Sequence, residues 1–173
     1  MPNSNKKAEI GTLFHQAYEE HSDALFRFSF SKLSDREKAL DVVQDVYVRY
    51  WEYMAANGQV DNIKAFLYKI ARNAIIDIYR KRKESSLDAL AEEGIEFPDP
   101  VDHEHAIRQA DAKIAVGLVR RLGEDDQEII LMRYTEGLSV KEIAEILDER
   151  ENTVSVRIHR ALKQLQDAFN KKS

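Results

Sequence analysis

The sequence predicts an all-α protein, built as two small helical domains joined by an acidic flexible linker. Only 6 Gly and 3 Pro stand among 173 residues, and this favours helices over sheets. Apolar residues recur with the i, i+3, i+4 spacing of amphipathic helices. A stretch with acids, Gly and Pro interrupts that periodicity over residues 85–104. We therefore expect domains over residues 1–84 and 105–173.

The composition excludes several classes of protein. With 43% hydrophobic and 33% charged residues, the chain has enough apolar content for a packed core. The absence of cysteine excludes disulfides, cysteine–zinc sites and thiol nucleophiles. No run approaches the ~18 apolar residues of a membrane span, and the N-terminus lacks the apolar run of a signal peptide. We therefore expect a cytoplasmic protein.

Three helices are predicted before the first glycine turn. An amphipathic stripe over residues 10–18 predicts the first helix, and residues 23–33 predict the second. Ser34 and Glu37 have the spacing of a capping box and are expected to start the third helix, which the pair Asn57-Gly58 ends. The buried face of the third helix is predicted to contain Leu40, Val43, Tyr47, Tyr50 and Trp51.

A fourth helix is predicted to be capped by Asn62 and to end in the basic run Arg80–Lys83. Basic residues in a last helical turn are favourable on dipole grounds alone, but four in succession exceed that need. Tyr79 adds a ring suited to stacking on an unpaired base, so this helix end is a candidate DNA contact. The buried stripe is expected to contain Ile63, Phe66, Leu67, Ile70, Ala74, Ile75 and Ile78.

The net charge of −5 hides a segregated charge pattern. Eight acids and no Lys or Arg lie over residues 84–107, whereas residues 62–83 and 157–172 are strongly basic. The acidic total therefore does not argue against binding to a polyanion, because two separate regions hold the positive charge.

The second domain is expected to begin with a helix near His105 that Gly123 breaks. A short helix over residues 125–134 follows, and Gly137 closes it.

Residues 137–165 predict a helix-turn-helix. Ser139 and Glu142 have capping-box spacing and start a short helix, expected to bury Ile143, Ala144 and Leu147. Residues 148–151 make a tight connection, and Asn152 is expected to cap a longer second helix. The inner stripe of that helix is predicted to contain Val154, Ile158, Ala161 and Leu165.

The outer face of this second helix suits the major groove of DNA. Arg160 has the donors to bind guanine O6 and N7 or a phosphate, and Val156 suits a thymine methyl group. The pattern alone leaves open a plain αα-hairpin with a solvated face. The residues predicted to bind DNA here are Thr153, Ser155, Val156, Arg157, His159, Arg160 and Lys163.

Three segments resemble the bacterial extracytoplasmic-function sigma factors. The segment DVVQDVYVRYWE resembles the family's helix that docks on the clamp helices of the RNA polymerase β′ subunit. The segment IKAFLYKIARNAIIDIYRKRK resembles its helix for recognition and melting of the −10 promoter element. The segment RLGEDDQEIILMRYTEGLSVKEIAEILDERENTVSVRIHRALKQL resembles its C-terminal domain, which binds the −35 element. The first two segments lie before the acidic linker and the third lies after it, and this order along one chain is specific to the family.

The resemblance implies a promoter-specificity subunit with no catalytic site, no cofactor and no small-molecule substrate. It implies three partners, which are core RNA polymerase, promoter DNA and an anti-sigma factor. The contacts on core polymerase are expected to be the β′ clamp helices and the β flap. Residues 1–84 then correspond to sigma region 2, residues 85–104 to the linker, and residues 105–173 to sigma region 4. The implied polymerase-binding residues are Asp41, Gln44, Asp45, Arg49 and Trp51. The implied −10 residues are Arg72, Asn73, Asp77, Tyr79, Arg80, Lys81 and Arg82.

The resemblance also implies that residues 83–87 hold a flipped base of the non-template strand. The family often has a basic residue at the position of Ser155 and a small polar one at Val156, so its base preference does not transfer. The −35 contacts are therefore expected to depend on DNA shape and on phosphate binding by Arg157, Arg160 and Lys163.

The main alternative is a helix-turn-helix regulator that binds DNA without docking on polymerase. Such a regulator would footprint a repeated half-site as a dimer. An enzyme is disfavoured, because the sequence has no Gly-rich phosphate loop and no HExxH motif. His103 and His105 stand beside acids, but their place in the acidic linker favours a solvated segment over a metal site.

Overall fold

The computed structural model describes residues 4–85 and 115–171, and within these ranges the secondary structure is helical, without a strand. The prediction of an all-α protein with two helical domains is confirmed. The chain divides into two compact units, Met1–Glu96 and Phe97–Ser173. In the described part of the chain, no helix is long and apolar enough to cross a lipid bilayer.

The first unit contains three long helices, α1 (Ser4–Leu33), α2 (Arg36–Asn57) and α3 (Ile63–Ser85), each packed against the other two. Aromatic rings fill much of its core. The Phe28 ring meets the Tyr68 ring edge-on, with 5.2 Å between centroids. The largest fully buried side chains of this unit are Tyr50, Tyr68, Phe28, Leu25, Leu33, Met54, Leu67 and Ile75.

One helix replaces the two that were predicted before residue 34. α1 continues through residues 19–22, a polar stretch that interrupts the apolar pattern in the sequence. Glu19 and Glu20 are exposed and His21 and Ser22 are half-buried, while Ala17 and Leu25 on either side of them are buried. The polar stretch is thus part of a continuous helix and not a turn.

The cap of α2 also differs from the prediction. Asp35, and not Ser34, is the N-cap, and its carboxylate accepts a hydrogen bond from the Lys38 N–H at 3.1 Å. This hydrogen bond is the main reason that the pKa of Asp35 lies below its ordinary value. Ser34 has a φ of +50° and belongs to the turn between α1 and α2.

The other helix ends of the first unit follow the sequence. Gly58, with a φ of +91°, ends α2 as predicted. The Asn62 side chain accepts a hydrogen bond from the Ala65 N–H at 2.9 Å and so caps α3. The buried face of α2 differs in part from the prediction, because Leu40 and Trp51 are exposed. The buried residues of α3 are Ala65, Leu67, Tyr68, Ala71 and Ile75.

The second unit is built from shorter helices around an aliphatic core. Residues 115–119 are helical, and α4 (Glu124–Ile130) continues directly into a π-helical turn (Leu131–Thr135). Helices α5 (Val140–Leu147) and α6 (Glu151–Asn170) follow. Gly137, with a φ of +65°, turns the chain after the π-helical turn as expected. The fully buried side chains include Ile129, Met132, Leu138, Ile143, Val154 and Ala161.

Candidate nucleic-acid interface

Helices α5 and α6 form the predicted helix-turn-helix. The Ser139 Oγ accepts a hydrogen bond from the Glu142 N–H at 3.1 Å, and the Glu142 carboxylate accepts one from the Ser139 N–H at 2.7 Å. Both halves of the predicted capping box are therefore present. The inward face of α5 holds Ile143 and Ala144 as expected, but Ile146 is buried more deeply than Leu147.

The turn between the two helices is fixed by its backbone. Asp148 adopts a left-handed conformation, with φ 53° and ψ 38°, and the Glu149 N–H donates to the Ala144 carbonyl at 3.0 Å. Arg150 is the N-cap of α6, so Asn152 lies inside the first turn and is not the predicted cap. The second helix therefore begins two residues earlier than the sequence suggested.

Helix α6 buries one face and exposes the other. Val154, Ile158 and Ala161 pack inward as predicted. The Val156 side chain is 54% exposed, which leaves its methyl groups open to contact from outside the unit. The exposed residues of the predicted DNA-binding set are Thr153, Ser155, Val156, His159, Arg160 and Lys163.

Arg157 differs from the rest of that set. Its side chain is only 17% exposed, and its Nη1 donates to the Glu149 Oε1 at 2.7 Å. Its Nε also lies 3.7 Å from the Asp126 Oδ1 on α4. The guanidinium is therefore directed towards two carboxylates of its own unit, unlike the exposed side chains of the rest of the set.

A second candidate surface lies at the C-terminal end of α3. Arg80 and Lys81 are exposed, and Arg80 pairs with Asp77 one turn earlier at 3.4 Å, with both side chains about half exposed or more. Asn73 is exposed and Arg72 is half-buried on the same helix. The flipped-base loop predicted over residues 83–87 is described only to residue 85, where α3 ends.

Tyr79 has a contact that the sequence did not indicate. Its hydroxyl donates to the carbonyl of Lys32 in the last turn of α1. That carbonyl is one of the four that an α-helix leaves without an internal partner, so Tyr79 caps α1 from α3. The ring is 41% exposed, which leaves part of its surface open beside the basic run.

The exposed face of α2 is a third candidate surface. Asp41, Gln44 and Arg49 are exposed there, and the Arg49 Nε lies 2.9 Å from the Asp45 carboxylate. Trp51 lies at the edge of this face, where its ring meets the Phe14 ring edge-on with 5.4 Å between centroids. All of the predicted polymerase-binding residues are thus solvent-accessible on one side of α2.

Two apolar residues of this face were not predicted as functional. Leu40 and Val48 are exposed, and Val48 is 56% exposed. Leu40, Gln44 and Val48 follow one another at intervals of four residues, so they line the same side of α2. This spacing of four residues is visible in the sequence, but Leu40 also fits the predicted buried stripe of α2.

His103 and His105 lie outside the described residues. Within residues 4–85 and 115–171, no group of three or more His, Asp or Glu side chains is arranged to hold a metal ion.

Comparisons with known proteins match both units. The family model of sigma-70 region 2 matches residues 17–85, and that of sigma-70 region 4 matches residues 114–165. The chain is 30% identical to RNA polymerase sigma factor SigV of Bacillus subtilis, over 96% of both chains. It is 26% identical to ECF RNA polymerase sigma factor SigL of Mycobacterium tuberculosis, over 94% of this chain and 92% of the relative. Its structure is similar to the sigma factor RpoE in complex with the anti-sigma factor NepR from Bartonella quintana, with a TM-score of 0.69, 26% identity and coverage of 91% and 96%.

Proposed function

Because the chain belongs to the extracytoplasmic-function sigma factors, the non-enzymatic promoter-specificity subunits of RNA polymerase, we propose that its two units bind separate promoter elements. The first unit docks on core polymerase and binds the −10 element, and the second binds the −35 element. We propose domain boundaries at residues 1–84 and 105–173, with the linker over residues 85–104. Membership in this family favours the proposed function over that of a helix-turn-helix regulator that binds DNA without docking on polymerase.

The −35 element is proposed to bind the exposed face of α6. Arg160 is placed to donate two hydrogen bonds to a guanine edge or to bind a phosphate, while Lys163, three residues further along α6, binds the DNA backbone. Val156 presents methyl groups to a thymine methyl, and Thr153 and Ser155 offer hydroxyls near the start of α6. His159 lies between these residues and contributes contact area.

The −10 element is proposed to bind the C-terminal end of α3. The Asp77–Arg80 pair is solvent-exposed, so exchanging its carboxylate for a phosphate costs little. Arg72, Lys81 and Arg82 add positive charge, and the partly exposed ring of Tyr79 offers a surface on which an unpaired base stacks. Asn73 supplies a polar side chain on the same helix.

Core polymerase is proposed to dock on the exposed face of α2. The apolar side chains of Leu40, Val48 and Trp51 lie beside exposed charged and polar groups. An apolar strip with a charged rim is the usual composition of a specific protein interface. The charged and polar groups are Asp41, Gln44, Asp45 and Arg49.

An anti-sigma factor is a further proposed partner. The sigma factor RpoE, which this chain resembles over 91% of its length, was solved in complex with one. A protein that works on core polymerase and promoter DNA acts where the bacterial chromosome lies, so we place this chain in the cytoplasm. The β flap of core polymerase is the proposed contact of the second unit.

The observation that supports this function best is the order of two matched units along one chain, sigma region 2 and then sigma region 4. Run-off transcription with purified core polymerase tests it, with this chain added to a library of promoter fragments. We expect discrete start sites that need the chain and share upstream −10 and −35 motifs. Absence of both stimulation and co-elution with core, in a sample free of inhibitor, would overturn the proposal.

The variant Arg160→Met tests whether −35 binding and polymerase docking belong to different units. It is expected to weaken transcription from promoters that depend on the −35 motif while leaving co-elution with core intact. Loss of co-elution in this variant would contradict the division of labour between the two units.

A further inference from the structure

We propose that Arg157 is a positioning residue, which holds α6 in the orientation needed for −35 binding and does not itself contact DNA. The proposal rests on the proposed function of α6. It concerns a residue that the sequence groups with the DNA-binding set and that the structure directs inward.

The guanidinium of Arg157 joins three segments of the second unit. It donates to Glu149 in the turn between α5 and α6 at 2.7 Å, and it lies 3.7 Å from Asp126 in the first turn of α4. Asp126 and Glu149 are separated by more than twenty residues, and Arg157 is the group between them. One side chain therefore ties α6 both to its own turn and to the preceding helix.

The local charge disfavours a phosphate at this position. Two carboxylates face one guanidinium, so the cluster of Asp126, Glu149 and Arg157 has a net negative charge. The shallow depression beside it is lined by Glu124, Asp125 and Arg160 as well. A phosphate at Arg157 would meet the two carboxylates that already face its guanidinium, whereas the neighbouring Arg160 side chain is exposed.

Glu149 depends on Arg157 in turn. The Glu149 Oε1 accepts from Arg157, while its Oε2 is buried and has no hydrogen-bond partner among the described residues. Removing the guanidinium would leave a part-buried carboxylate unpaired in the turn that sets the angle between α5 and α6. We therefore expect the loss of Arg157 to move α6 relative to its neighbours.

Salt dependence distinguishes positioning from phosphate contact. The logarithm of the affinity falls linearly with the logarithm of the salt concentration, and losing one phosphate contact makes this slope less steep by about 0.9. A residue that only orients the helix changes the affinity and leaves this slope unchanged. The experiment measures holoenzyme binding to a promoter fragment from the run-off screen, with the −35 motif intact or scrambled, over a range of salt concentrations.

For Arg157→Met we expect about tenfold weaker binding to the intact fragment, since residues within one charged network couple by this order of energy. The slope and the affinity for the scrambled fragment stay unchanged. The matched variant Lys163→Met removes a proposed phosphate contact at an exposed position of α6, and it is expected to make the slope about 0.9 less steep. A general loss of folded protein would weaken binding to both fragments, which separates positioning from a merely structural role.

Glu149→Gln provides a second test that keeps the positive charge of Arg157. A positioning role predicts weaker binding to the intact fragment at an unchanged slope. If Arg157→Met does not fold, the binding of Glu149→Gln alone tests the positioning role. Unchanged or tighter binding in Glu149→Gln, or an Arg157→Met slope that becomes less steep as in Lys163→Met, would overturn the inference.

No effect of Arg157→Met on affinity would overturn the inference too. A different result, in which Arg160→Met changes neither the slope nor the preference for the intact motif, would instead overturn the assignment of α6 to the −35 element.

Discussion

The two units stabilise their helices by different means. In the first unit, helices of 30, 22 and 23 residues bury aromatic side chains such as Phe28, Tyr50 and Tyr68. In the described part of the second unit, Tyr134 and Phe169 are exposed, and α4 and α5 have only 7 and 8 residues. Helices this short are marginal alone, so caps and polar contacts matter more for them. Burial thus dominates in the first unit, and local hydrogen bonding contributes more in the second.

Phe28→Ala tests the burial in the first unit and has the largest expected effect. Phe28 is fully buried against Tyr68, and truncating such a ring costs about 3–5 kcal/mol of unfolding free energy. In hydrogen exchange followed by mass spectrometry, we expect residues 4–85 to lose protection while residues 115–171 keep it. Ile76→Ala, at an exposed position of α3, is the control and should leave both ranges protected. Loss of protection in both ranges after Phe28→Ala would show that the units fold as one.

Ser139→Ala tests the dependence of the second unit on caps. The substitution removes the Oγ that accepts from the Glu142 N–H, and losing such a cap costs about 1 kcal/mol. We expect faster hydrogen exchange in α5 and a lower denaturation midpoint of the second unit. Ser139→Asp keeps an acceptor at the cap and is expected to restore most of the loss. Equal stability of the Ala variant would mean that packing alone holds α5.

Val48→Ser compares exposed surfaces of the two units. Val48 and Val156 are exposed to nearly the same extent, and neither supports a core. If α2 docks on polymerase, losing the apolar contact at Val48 lowers the affinity for core polymerase about threefold, and this is measured by co-elution over a range of concentrations. Val156→Ser is the matched control and is expected to change promoter choice without changing affinity for core. A reversed pattern would exchange the roles proposed for α2 and α6.

The sequence could predict features that depend on residues close together in the chain. The helix end at Gly58, the cap at Asn62 and the capping box at Ser139 each involve partners within four residues, and each is present. The fold class and the family follow from the same local patterns repeated in order along the chain.

Features that depend on distant residues could not be predicted in the same way. The hydroxyl of Tyr79 contacts Lys32, 47 residues earlier, and Arg157 contacts Asp126 on another helix. Both residues looked functional in the sequence, because a tyrosine beside a basic run and an arginine on a recognition helix are common in DNA-binding proteins. Only the packing of the helices determines that each side chain also has a partner inside its own unit.

The cap of α2 responds to acid, and this gives the smallest expected effect. Asp35 caps α2 as a carboxylate, and the hydrogen bond from the Lys38 N–H lowers its pKa below the ordinary value of an aspartate. Because the folded pKa is lowered, the contribution is present above the unfolded value and is lost as the pH falls through the folded pKa. We expect the stability of the first unit to fall more steeply with acid in the natural chain than in Asp35→Asn, since asparagine caps equally well and does not titrate. Parallel acid profiles of the two chains, measured by denaturant unfolding from pH 6 downwards, would assign the acid sensitivity to other carboxylates.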